Sequence, residues 1–271
     1  MSRIDQTFKK LKNKFRAALI PFIVAGDPDL GTTEALIFKM VENGADMIEL
    51  GVPFPEPIAD GPTIRAAHQR ALQNGIGLKE ILCMTGRLRD KIPPLILMTY
   101  LNPVLEYGLR DFAKDCKENG IDGVIIPDLT PEEAWGWIEE GRKMNLDTIF
   151  LIAPNSPPER MKWVSRSSRG FIYYASVTGV TGMREKLPED LELAVKQIKK
   201  QSQKPVAVGF GISTPEQARA ISRFADGVIV GSAIVKIIEE NLKDSNMIKR
   251  VGDSVASFAK ALKGGGKEIK S

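Results

Sequence analysis

From one end of the chain to the other, short apolar runs alternate with longer stretches whose apolar positions recur every three or four residues. The short runs predict strands at Ala18–Val24, Met47–Leu50, Leu95–Met98, Gly123–Ile126, Thr148–Ile152, Phe171–Ala175, Val206–Val208 and Gly227–Val230. Most are apolar without alternation, the pattern of parallel strands covered on both faces. The longer stretches predict helices with marked ends. Thr32-Thr33-Glu34 opens one that stops at Asn43-Gly44, and Thr130-Pro131-Glu132-Glu133 opens another with proline and acids in its first turn. Ser213-Thr214-Pro215-Glu216 repeats the device ahead of Ala218, Ile221 and Phe224. Two segments exceed the repeat: Ile76–Lys91 predicts an additional helix before the third strand, and Asp244–Ala261 a last helix after the eighth. At the start, Ile4, Phe8, Leu11 and Phe15 at helical spacing predict a short amphipathic helix covering one end of the core.

Eight strands with alternating helices fit either a closed barrel or an open doubly wound sheet. No GxGxxG follows the first strand and no GxxxxGK[ST] occurs anywhere, which weighs against a nucleotide-type open sheet. A chain of 271 residues also matches the roughly 250 typical of a barrel. The expected architecture is an α/β (β/α)8 barrel with extra helices, including the N-terminal one. It forms a single domain over 1–271, with a Gly/Lys-rich flexible tail at 263–271.

Composition narrows the function. With 43% hydrophobic and 27% charged residues the chain has ordinary globular chemistry. Its net charge of +4 is interspersed rather than striped, which disfavours nucleic acid as a partner. No apolar run approaches the ~20 residues of a membrane span, and the N-terminus lacks a secretory h-region. Cys83 and Cys116 stand without CxxC spacing, as thiols in a reducing compartment do. A cytoplasmic protein is expected.

In a barrel the loops after the strand C-termini build the site. Glu49 interrupts an apolar strand near its C-terminal end, where a partly desolvated carboxylate has a raised pKa suited to proton transfer. An ion pair at the rim is the alternative. The next loop carries Pro53, Pro55, Pro57 and Pro62, which stiffen the backbone that delivers Asp60. Asp60-Gly61-Pro62 also fits plain turn chemistry. Gly-rich turns follow the last three strands: Gly179-Val180-Thr181-Gly182, Gly209-Phe210-Gly211-Ile212-Ser213 and Val230-Gly231-Ser232-Ala233. The latter two precede helices, and consecutive turns of this kind suit a phosphate site, with plain tight turns as the alternative. No strand presents a Schiff-base lysine toward the mouth, since Lys204 stands at a strand's beginning. The one histidine, His68, cannot make a metal ligand set and is expected as a satisfied surface or interface residue. Carboxylate acid–base chemistry on a phosphorylated substrate remains.

These residues resemble the tryptophan synthase α subunit family over nearly the whole chain. The likeness is carried by Pro21–Pro28, by IELGVPFPEPIADGP at 48–62, by Tyr100-Leu101-Asn102-Pro103 and by Ile125–Leu129. Thr178–Gly182, Gly209–Ser213 and Val230–Ser232 complete it. The resemblance implies a carbon–carbon lyase that cleaves indole-3-glycerol phosphate to indole and D-glyceraldehyde 3-phosphate in tryptophan biosynthesis. Glu49 would protonate the indole carbon bearing the side chain, and Asp60 would accept the ring N–H. Phe22, Met98, Tyr100, Ile125, Tyr173 and Phe210 would line the indole pocket, although strand-end apolar residues also serve as plain core. Gly182, Gly211, Gly231 and Ser232 would bind phosphate, and Val177–Leu187 would form a lid bringing Thr181 close to Glu49. No metal and no cofactor belong to this chain. Pyridoxal phosphate is expected in a β subunit, the partner in an α2β2 complex. Glu56 and Pro57 would meet that partner, with Pro55-Glu56 standing where the family usually has Ser-Asp. The location implied is cytoplasmic, or the plastid stroma in a plant or alga. Two alternatives stay open: a non-catalytic regulatory subunit of a β partner, and a stand-alone lyase of the same fold.

Overall fold

The computed structural model describes residues 1–175, 187, 190–209 and 211–263. Nine strands occur among them: β1 (Ala18–Val24), β2 (Ile48–Gly51), β3 (Leu95–Met98), β4 (Gly123–Ile125), β5 (Asp147–Ile149), β6 (Leu151–Ile152), β7 (Ile172–Ala175), β8 (Val206–Gly209) and β9 (Gly227–Val230). The helices before β3 are α1 (Arg3–Lys12), α2 (Leu30–Glu42), α3 (Pro62–Gln73) and α4 (Leu78–Leu88). Then come α5 (Leu101–Tyr107), α6 (Leu109–Glu118), α7 (Trp135–Lys143) and α8 (Pro158–Ser167). The last four are α9 (Leu191–Gln201), α10 (Pro215–Ser222), α11 (Ser232–Glu240) and α12 (Met247–Lys263).

Every strand pairing is parallel, in the order β5-β4-β3-β2-β1-β9-β8-β7-β6. The two ends of that order are one stave. β5 pairs with β4 while β6 pairs with β7, and Phe150 between them accepts the Tyr173 N–H at 3.1 Å, so the sheet closes into an eight-stave barrel. The expected strand at Thr148–Ile152 is therefore present but divided at Phe150.

Strand alternation separates two apolar layers. Ile48 and Leu50 of β2 face outward toward the helices, as do Leu19, Ile23, Leu95 and Leu97. Ile20, Phe22, Met47, Ile96, Met98, Ile125, Ile149, Tyr173 and Ile229 face inward. The bottom of that inner layer is plugged by Ile4, Phe8 and Leu11 of α1, with the Phe8 and Phe171 rings 5.6 Å apart. Phe15 does not join them. It lies beyond the helix in the left-handed region (φ 53°) and is exposed, because α1 ends at Lys12.

Aspartates at the strand starts tie the bottom end together. Asp46 accepts the Leu19 N–H (2.9 Å) and pairs with Arg16; Asp122 accepts Leu95 N–H (3.0 Å) and pairs with Arg3 (2.9 Å). Asp226 accepts Val206 N–H (3.0 Å) and pairs with Lys199 (2.7 Å), while Asp147 faces Arg169 at 3.5 Å.

Two helix starts differ from expectation. α2 begins at Leu30 because Asp29 is its cap, accepting the Thr32 N–H at 2.8 Å, so Thr32 already lies in the first turn. The Thr130–Glu133 signature closes a turn of its own, with Thr130 Oγ1 donating to Glu133 Oε2, and α7 starts only at Trp135. At α10 the expected capping box of Thr214 and Gln217 is formed. α4 and α12 fill the two segments that exceed the repeat.

Candidate active site at the barrel mouth

Glu49 is an inward position of β2, on one rung with Phe22 of β1 and Ile96 of β3. Apolar neighbours on that rung leave the carboxylate 1% exposed, and its Oε2 has no hydrogen-bond partner among the described residues. Burial, and then the negative charge of Asp60, push its pKa up to about 8. Among the described residues no Lys or Arg forms the rim ion pair that is the alternative for Glu49.

Asp60 ends the proline-rich loop and is buried beside it. Its N–H donates to Pro57 O (3.0 Å), and Arg65 Nε donates to its backbone carbonyl (2.7 Å), fixing the main chain. The carboxylate is held separately. Tyr100 Oη donates to Asp60 Oδ2 at 2.9 Å and accepts the Ala59 N–H at 3.1 Å, and its ring stacks on Phe54 with centroids 4.8 Å apart.

One cavity is lined by both carboxylates together with Phe22, Ile64, Met98 and Tyr173 at one end, and Gly211, Ile212, Gly231 and Ser232 at the other; Ile229 completes the lining. Its aromatic walls require strand glycines. A Cβ on Gly209 would stand 2.2 Å from the Tyr173 hydroxyl, and one on Gly51 would stand 2.8 Å from the Phe22 ring. At the other end α11 begins at Ser232 with Gly231 as its cap, and Gly211 adopts φ 78°. Helix N-terminal N–H groups beside small residues form an anion site by geometry alone. Among the described residues, none that lines the cavity is Lys or Arg.

Of the residues expected from sequence, Glu49, Asp60, Phe22, Met98, Tyr173, Gly211, Gly231 and Ser232 come together around this cavity. Tyr100 reaches it through Asp60, whereas Ile125 is fully buried in the inner layer one rung neighbour from Met98. Thr181, Gly182 and Phe210 lie outside the described residues, as do the expected lid except Leu187 and the tail except Lys263. Glu56 is exposed at the loop tip between Pro55 and Pro57, but Pro57 itself is buried, while Ile58 is exposed. Lys204 sits at the opposite end of the barrel, donating to Ser165 O.

Sequence reading missed Ile64, Ile212, Ile229 and His68. His68 is not on the surface: it is 2% exposed, with Nε2 3.3 Å from Asp60 Oδ2 and Nδ1 accepting the Phe54 N–H at 3.1 Å. A signal was available, since Ile64 and His68 stand four apart on the face of α3 that starts from Asp60. Arg70 of the same helix grips buried Asp27 through two hydrogen bonds (2.7 and 3.0 Å) and reaches Glu239 of α11 (3.2 Å). The helices whose first turns supply Ile64 and Ser232 to the cavity, α3 and α11, are thereby joined.

Known proteins resemble this chain over nearly its whole length. The family model described as tryptophan synthase alpha chain matches residues 8–263. The tryptophan synthase alpha chain of Geobacter sulfurreducens is 48% identical over 97% of this chain and 98% of its own length. That of a Thermoanaerobacter species is 44% identical over 97% and 100%. Among solved structures, tryptophan synthase subunit alpha of Legionella pneumophila superposes with a TM-score of 0.90 at 41% identity, covering 97% of this chain and 99% of that one. A chain of Mycobacterium tuberculosis tryptophan synthase gives 0.90 at 38% identity, covering 97% and 98%. The chain belongs to the tryptophan synthase alpha chain family.

Proposed function

We propose that this chain cleaves indole-3-glycerol phosphate to indole and D-glyceraldehyde 3-phosphate, acting as the α subunit beside a β subunit in tryptophan biosynthesis. The single observation that carries the reading is that buried Glu49 and Asp60 line one cavity whose far end is a helix N-terminus.

In this reading the phosphate sits at Gly211, Gly231 and Ser232, held by backbone N–H groups and the Ser232 hydroxyl. Gly182, in the family's lid, would add to it, and Thr181 would close over Glu49. The indole ring lies between Phe22, Ile64, Met98 and Tyr173, with Phe210 as a further wall. Glu49, still protonated at neutral pH because its pKa is near 8, gives its proton to the ring carbon that bears the side chain. The ring becomes a cationic indolenine, and Asp60 accepts the ring N–H and stabilises that charge. As the glycerol hydroxyl next to the ring loses its proton, the carbon–carbon bond breaks. Its electron pair returns to the ring as indole, and the hydroxyl carbon leaves as the aldehyde. The burial that raises Glu49 suits it to take a proton back once it has given one, so one carboxyl serves as acid and then as base.

The reaction needs no metal and no cofactor from this chain; pyridoxal phosphate is the β partner's. Glu56 and Ile58, both exposed at the loop tip, are the side chains offered to that partner, with buried Pro57 setting the loop's shape. A cytoplasmic location fits the two free thiols, Cys83 and Cys116.

Replacing Glu49 by Gln is expected to lower indole release by about 10³-fold while binding of a non-cleavable substrate analogue is kept. Full activity in that variant would overturn the role given to Glu49. Titrating the wild type with a β subunit tests the rest of the reading, because a stand-alone lyase would show neither complex formation nor rate enhancement.

A further inference from the structure

His68 is the chain's one histidine, and its two nitrogens face different parts of the mouth. The Phe54 N–H donates to Nδ1, which occupies that lone pair and places the ring proton on Nε2. Nε2 stands 3.3 Å from Asp60 Oδ2, close enough for electrostatic contact though not aligned as a hydrogen bond. The oxygen it faces is the one to which Tyr100 Oη donates. Neither group engages Oδ1. Phe54 stands behind both, through its N–H to His68 and through its ring stacked at 20° on Tyr100. The helix carrying His68 is in turn anchored by the Arg70–Asp27 pair.

We propose that His68 is a positioning residue: with Tyr100 it pins Oδ2 of Asp60, so that Oδ1 is presented to the ring N–H of the substrate. The proposal rests on the reading of Asp60 as acceptor of that N–H. A histidine held in this way supplies a donor without adding a formal charge. An Arg or Lys at the same place would orient the carboxylate equally well, but would cancel the negative potential that a developing indolenine cation needs. The 3.3 Å contact is of the kind that tightens when a ligand draws the carboxylate into alignment. The arrangement also makes the loop tip part of the site, because a shift of Phe54 moves both groups that hold Oδ2.

The test compares wild type with His68→Gln, His68→Asn and His68→Leu. The probes are indole-3-propanol phosphate and its benzofuran counterpart, which carries a ring oxygen in place of the N–H. Wild type is expected to prefer the indole probe by about tenfold, the worth of one hydrogen bond to a charged group. Gln places an amide donor near the position of Nε2 and should retain most of that preference. Asn is too short to reach Asp60, and Leu has no donor, so both should lose it. In these two variants kcat for indole release should fall by about tenfold, while competition by inorganic phosphate stays at its wild-type level. Asn and Gln are polar and similar in bulk, so their contrast remains readable if Leu does not fold. A wild-type preference that survives in Asn or Leu overturns the positioning role alone, as does equal loss in Gln and Asn. A wild type without any preference overturns the reading of Asp60 and this proposal with it.

Discussion

The two ends of the barrel use carboxylates in opposite ways. At the bottom, buried Asp122 and Asp147 and half-buried Asp46 and Asp226 each face an Arg or Lys, and all but Asp147 also accept a backbone N–H at the beginning of a neighbouring strand. At the mouth, Glu49 and Asp60 line one cavity that has no Lys or Arg among its described lining residues, and Asp60 accepts a hydrogen bond from a phenol with an imidazole 3.3 Å away. Asp46, Asp122 and Asp226 therefore satisfy backbone groups and join strands, while Asp147 faces Arg169. The mouth acids keep charge and protons available to a third molecule. A buried carboxylate is thus a structural or a chemical element according to what faces it, and burial alone does not distinguish the two.

The sharpest way to break this contrast is the pH dependence of folding. Glu49 has its folded-state pKa raised to about 8 from an ordinary 4.5, so the folded chain binds a proton there that the unfolded chain has released. The stabilisation is fully present below pH 4.5 and is lost as pH rises toward 8. Glu49→Gln removes the titration. The variant should match wild type near pH 4 and exceed it by roughly 4–5 kcal/mol above pH 8.5 in denaturant unfolding. A difference independent of pH would mean that Glu49 is already compensated, like the acids at the bottom. The same pKa predicts that indole release falls about tenfold per pH unit above 8 as the acid form disappears.

Asp60→Asn probes the other half of the pair. It keeps an acceptor for Tyr100 but removes the charge facing the substrate, so kcat should fall by about a hundredfold with stability changed by less than about 1 kcal/mol. Unchanged kcat would place Asp60 with the structural acids.

How much of this was legible in the sequence follows from how each part is buried. β1, β3 and β9 begin and end where their apolar runs do, since a strand covered on both faces has no polar residue to blur its limits. Glu49 was visible for the same reason, as a charge breaking such a run. The glycine turns at Gly211 and Gly231 were visible because helix starts after strands are local features. Helix starts at Thr32 and Thr130 were misplaced, because Ser/Thr-type caps and turns share one chemistry and only tertiary packing chooses between them. His68 was lost for a different reason. A single histidine on an amphipathic helix has no sequence partner, and its contacts to Phe54 and Asp60, 14 and 8 positions away, exist only once the loop folds back over α3.

At the bottom the contrast is sharpened by asking which property of an acid matters there. Asp122 is raised in pKa by burial despite Arg3 beside it, so its charge is opposed by the site that holds it. Its acceptor role toward the Leu95 N–H is met at 3.0 Å, and that N–H is buried at the beginning of β3. Asp122→Ala leaves the N–H unsatisfied and should destabilise the fold by about 2 kcal/mol. Asp122→Asn keeps a carbonyl oxygen for it and gives up only the pairing with Arg3, which is 42% exposed and so contributes less than about 1 kcal/mol. Neither change touches the cavity at the other end, so kcat at saturating substrate should stay at the wild-type value in both. If Asn proved as costly as Ala, charge rather than hydrogen bonding would be what the strand-start aspartates supply. The two ends would then differ only in whether a counter-charge is present, and not in the use made of the oxygen atoms.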